Sequence, residues 1–73
     1  MFWISLRYAD HVRQYSIVPS ADVGWELKLE EDRKVTRRVR YQDWHRVERA
    51  WSAIGLEVSA LAERGWSIQS TDR

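Results

Sequence analysis

Along residues 25–30 the chain alternates strictly, with Trp25, Leu27 and Leu29 on one side and Glu26, Lys28 and Glu30 on the other. A period of two with one apolar side is the pattern of a half-buried strand. Beyond a charged turn candidate at Glu31-Asp32-Arg33, Val35, Val39 and Tyr41 alternate with Thr36, Arg38 and Arg40, so residues 23–41 are expected to form a hairpin. Arg37 interrupts the inner set and is expected at the sheet margin, its stem buried and its head in water. Upstream, residues 12–18 read as a third strand stopped by Pro19, with residues 20–24 leading on to Trp25. Residues 2–8 carry Ile4, Leu6 and Tyr8 on one side and a turn candidate at Ala9-Asp10-His11. They form either a fourth strand or a partner-binding arm.

From Trp44 the period changes. Apolar residues fall at 44, 47, 51, 54, 58 and 61, in steps of three and four that trace one stripe on a helix. Asp43 is a good N-cap and Gly65 a good stop, so the helix is expected over residues 44–64. Trp51 sits mid-stripe and is expected to be the most buried tryptophan. Trp66 and Ile68 alternate after the helix and either add a short edge strand or cover the core. The fold expected is α+β: a three- or four-stranded antiparallel sheet (β-β-β-α or β-β-β-β-α) with one long C-terminal helix across one face.

Charge suggests a register for the hairpin. A three-residue loop opposes Glu30 with Lys34, Lys28 with Thr36 and Glu26 with Arg38, whereas lengthening the loop by two opposes Lys28 with Arg38. Unlike pairs help by about 0.2–1 kcal/mol and like pairs cost a similar amount, so the first register is expected.

Seventy-three residues make one small domain. Domains near 60 residues bury only about 60% of their unfolded surface and often lean on a staple, a metal or a partner. With no cysteine, disulfides, thiolate metal sites and cysteine nucleophiles are excluded, and the chain has no asparagine to glycosylate. What it has is five tryptophans, enough for a dense core, an interface or both. The net charge of +1 conceals a segregation. Residues 20–32 carry Asp22, Glu26, Glu30, Glu31 and Asp32 against Lys28. Residues 33–49 carry Arg33, Lys34, Arg37, Arg38, Arg40, Arg46 and Arg49 against Asp43 and Glu48. Ser5, Arg7 and Asp10 interrupt the apolar start, no basic residue precedes it, and no stretch approaches the roughly 18 apolar residues of a membrane span. A cytoplasmic protein without membrane contact is expected.

Val18-Pro19, then Gly24-Trp25-Glu26-Leu27-Lys28, a charged turn, a further strand and an amphipathic helix resemble a small bacterial family of ββ-hairpin-plus-helix domains of unknown function. That family opens its sheet with a V-P-x-x-x-G-W-x-V-K run. The likeness covers about residues 15–64. The chain departs from it at Asp43-Trp44-His45-Arg46, where the family has a Thr-x-x-Glu type helix entry, and in its extra apolar N-terminal segment. The resemblance implies the fold and no activity.

Candidate chemistry is sparse. His45 and Glu48 share a helical face at a spacing that can ligate metal, but three or four ligands are needed and the only other histidine is His11. A solvated helix face is the plainer account, and no metal or cofactor is expected. Ser16, His11 and Asp43 supply the residue types of a hydrolytic triad, yet nothing selects them over other sets. There is no G-x-S-x-G elbow, and glycines 24, 55 and 65 are too scattered for a phosphate loop. Catalysis is not expected.

Two surface readings remain. Arg38 and Arg40 belong on the open sheet face and Arg46 and Arg49 on the outer helix side, a candidate nucleic-acid contact. Glu26 and Glu30 share the sheet face and offset its charge, which favours cross-strand pairing over phosphate binding. The stripe cannot bury Leu56, on the opposite side of the helix, and Phe2, Trp3 and Leu6 have no evident place in so small a core. These four are the candidate interface residues, since several large apolar groups left over together suggest a partner surface. The function expected from sequence is therefore a non-enzymatic, self-associating interaction module, a homodimer, with nucleic-acid binding as the alternative.

Overall fold

The computed structural model describes residues 2–72. Strands β1 (Phe2–Tyr8), β2 (His11–Pro19), β3 (Trp25–Glu31) and β4 (Lys34–Tyr41) form an antiparallel meander, followed by helix α1 (Trp44–Glu63) and strand β5 (Ser67–Asp72). The sheet order is β4-β3-β2-β1-β5. The chain thus leaves one sheet edge at β4, crosses as the helix, and re-enters at the far edge beside β1. The α+β architecture with a helix on one sheet face is as the sequence predicts. The tail at Trp66 and Ile68 resolves as a fifth strand, and residues 2–8 resolve as an internal strand between β2 and β5.

Both tight hairpins turn on two residues. Ala9 adopts φ 54° between Tyr8 and His11, and Asp32 and Arg33 adopt φ 52° and 69° between Glu31 and Lys34. Positive φ at both Asp32 and Arg33, and at Ala9 as the first central residue of its turn, gives the primed twists that join adjacent strands without splaying them. The β3–β4 register departs from the expectation drawn from charge. Glu30 pairs with Val35 and Leu29 with Arg37, leaving Thr36 as a bulge whose Oγ1 donates to the Leu29 carbonyl at 3.4 Å. Lys28 then faces Arg38, the like-charge pair expected to be avoided, and Glu26 faces Arg40.

Apolar matching explains the outcome. The observed register opposes Leu27 with Val39 and Trp25 with Tyr41, whereas the charge-derived register would set Leu27 against Arg37. A cross-strand charge pair is worth about 0.2–1 kcal/mol, less than burying such side chains against each other. The acids then offset the bases along β3, across the pair and on the diagonal. Lys28 Nζ lies 3.1 Å from Glu30 Oε1, and Glu26 Oε2 lies 4.0 Å from Arg38 Nε and 3.9 Å from Arg40 Nε. The bulge also moves Val35, expected on the inner side, to the exposed side with Glu30.

The helix begins where Asp43 Oδ1 accepts from the His45 amide at 3.0 Å. It ends as Gly65, at φ 104°, donates to the Ala62 carbonyl and Trp66 to the Leu61 carbonyl. Val47, Ile54, Val58 and Leu61 bury their side chains against Leu6, Tyr15, Ile17, Leu27 and Leu29 of the sheet. Trp51 is half-buried rather than central. The branched residues take the centre line of the closely packed layers, and the larger indole lies beside it, stacked on Phe2 with ring centroids 5.1 Å apart. Trp44 completes this aromatic rim, 5.0 Å from Trp25 and 5.9 Å from Phe2.

Candidate functional site

Pairing on both sides makes β1 an internal strand and leaves Leu6 with 0% exposure, so it is core and not interface. Phe2 is spent within the chain on Trp44 and Trp51. Trp3 points the other way because strand side chains alternate faces. It lies half-buried on the open sheet face, above a groove of about 380 Å³ shared with Gln14, Ser16 and Val18. Leu56 is 75% exposed on the outer face of α1. With His45, Glu48, Arg49, Ser52 and Ala53 it lines a groove of about 610 Å³. The four candidate interface residues therefore divide among core, aromatic rim, open sheet and outer helix.

The four arginines divide as well. Arg38 stays on the open face beside Glu26. Arg40 leans towards the sheet corner, within 3.8 Å of Asp22 and 3.9 Å of Glu26. There it lines a groove of about 460 Å³ with Tyr41, Gln42, Asp43 and Arg46. Tyr41, Arg46, Arg49 and Ala50 line an adjoining groove of about 410 Å³. Three of the four arginines are thus gathered around a half-buried tyrosine where β4 passes into α1. The sequence pattern had assigned Tyr41 to the inner strand face, which is true of its ring contacts but missed its place at this corner.

Polar chemistry elsewhere is local. His45 Nδ1 lies 3.7 Å from Glu48 Oε1, a single exposed pair, and among the described residues no group of three metal-ligating side chains converges. His11 Nδ1 and Asp32 Oδ2, in turns that adjoin across β2 and β3, meet at 2.9 Å. Asp32 Oδ1 also accepts from the Val12 amide at 2.9 Å, and the Asp32 amide donates to the Val12 carbonyl at 2.8 Å. The hydrogen bond to Asp32 raises the His11 pKa above 6.5, and the same bond, with the Val12 amide, lowers that of Asp32. Beneath the helix, Arg37 Nη2 reaches Glu57 Oε1 at 3.4 Å, bridging β4 to α1 with its head partly in water. Arg13 lies over the Trp66 ring at 5.3 Å and bonds Glu31 through Nε at 2.9 Å.

Fold and surface together define a small α+β domain with one sheet face covered by the helix and one open. No family model matches the chain, and neither curated proteins nor solved structures show a match to it. Among the described residues no helix is long and apolar enough to cross a membrane.

Proposed function

We propose that the protein is a non-catalytic association module that binds a second copy of itself through the outer face of α1. The observation that carries this reading is Leu56, which stands 75% exposed in the middle of that face, while the helix buries Val47, Ile54, Val58 and Leu61 on its opposite side. A single exposed leucine is ordinary, but this one borders a groove built from the small side chains of Ser52 and Ala53, which lets another backbone come close. Sedimentation velocity over a concentration series tests the reading. The wild-type protein is expected to dimerise reversibly, and Leu56→Glu to remain monomeric with an unchanged thermal melt. A wild-type protein monomeric at hundreds of micromolar overturns it.

A second reading has its own observation, the arrangement of Arg40, Arg46 and Arg49 around Tyr41. Guanidinium groups beside an aromatic ring suit the phosphates and bases of a single-stranded nucleic acid. Fluorescence anisotropy with a mixed-sequence oligonucleotide decides it. Binding that weakens with salt and is lost in Arg46→Glu supports it, and no binding at low salt removes it.

A further inference from the structure

We infer that the dimer is antiparallel and two-fold, with the Leu56 side chains of the two copies meeting at the axis. The inference rests on the association reading above and adds its geometry. In an antiparallel helix pair centred on Leu56, each residue faces the one equally far beyond Leu56 on the other copy. One turn out, Ser52 and Ala53 precede Leu56, and Ser59 and Ala60 follow it, all exposed. Small side chains on both sides of the axis leave room for each Leu56 to seat against the opposite helix.

Two turns out the face carries charge, Arg49 on the N-terminal side and Glu63 on the C-terminal side, both exposed. Among the described residues neither has an ion-pair partner in its own chain. Antiparallel docking sets Arg49 of each copy against Glu63 of the other, two ion pairs related by the axis. Parallel docking would set arginine against arginine and glutamate against glutamate, which opposes association. Glu48 lies on the flank of the face, its Oε1 3.7 Å from His45 Nδ1. A second copy is therefore the occupant whose charges fit this surface.

Charge reversal and cross-linking test the geometry. Arg49→Glu and Glu63→Arg are each expected to weaken dimerisation by about tenfold in sedimentation equilibrium, because each puts like charges on both sides of the axis. The double variant is expected to recover wild-type affinity to within about twofold. The chain has no cysteine, so a single introduced thiol reports one distance. Leu56→Cys should cross-link into a disulfide dimer under mild oxidation, and Arg49→Cys should not, its symmetry mate lying about four helical turns away along the axis direction. Both positions are exposed, and thermal melts confirm that the variants fold. A dimer indifferent to both reversals, or one that cross-links through Arg49→Cys, overturns the antiparallel geometry while leaving self-association standing. A monomeric wild type overturns both.

Discussion

At the scale of single residues, a buried tyrosine and an exposed histidine–aspartate pair meet water in opposite ways. The Tyr15 hydroxyl is buried and makes no well-formed hydrogen bond among the described residues, with the Arg13 guanidinium close by but not aligned on it. Burial raises its pKa above 10, with the nearby Arg13 working against the rise. Leaving such a group unpaired costs about 1–3 kcal/mol, so Tyr15→Phe is expected to leave stability unchanged or raise it, read as the denaturation midpoint. His11 and Asp32 are exposed but bonded to each other. Because the His11 pKa is raised, its contribution to stability is full below 6.5 and is lost as pH rises through the folded-state value. Because the Asp32 pKa is lowered, its contribution is present above 3.8 and is lost as pH falls through the folded-state value. Both contributions therefore coexist between those limits. An NMR titration is expected to place His11 above 6.5 in the wild type and back near 6.5 in Asp32→Asn, which retains an oxygen for the Val12 amide. An unchanged His11 titration in that variant would show that Asp32 is not the cause.

At the scale of elements, the link between β2 and β3 depends on Gly24. Its φ is 91°, and a Cβ there would run into the backbone carbonyl of Tyr41 at the end of β4. The Ser20 amide closes the same loop by donating to the Gly24 carbonyl at 2.9 Å. Gly24→Ala would combine a left-handed backbone with a backbone clash and is expected to cost at least about 2 kcal/mol, measured by urea unfolding. The elements themselves were largely legible in the sequence. Strict alternation located β3, the three-and-four spacing located α1, and Asp43 and Gly65 marked its ends, because each of these signals is local. Register was not legible, since it was settled by Leu27 meeting Val39 and Trp25 meeting Tyr41 across a bulge. The placement of Leu6 and Phe2 was equally hidden, for Leu6 depends on pairing with a strand some sixty residues away and Phe2 on rings of the helix. The same holds for the surface. Leu56 was evident from the helix period alone, whereas the gathering of Arg40, Arg46 and Arg49 around Tyr41 required the β4–α1 corner to be built first.

At the scale of the whole molecule, the sheet has two unlike edges. β4 ends it with Lys34, Arg37, Arg38, Arg40 and a bulge, devices that discourage further strand addition. β5 ends the other side, and it is there only because the chain has crossed the helix to pair Ile68 with Leu6 and Thr71 with Ile4. The three hairpins of the meander need only nearest neighbours in the chain, while β5 must wait for everything before it. It is therefore expected to dock after the rate-limiting step of folding. Ile68→Gly should then speed unfolding several-fold in stopped-flow measurements while leaving the folding rate nearly unchanged, and a slowed folding limb would contradict that order. On a ribosome the consequence is sharper. A nascent chain that has emerged only as far as the helix presents β1 as a bare edge rich in Phe2, Trp3, Ile4 and Leu6, an apolar edge open to pairing with other chains. β5 acts as the cover for β1, so a stall before residue 67 would leave open an edge that the folded sheet keeps paired.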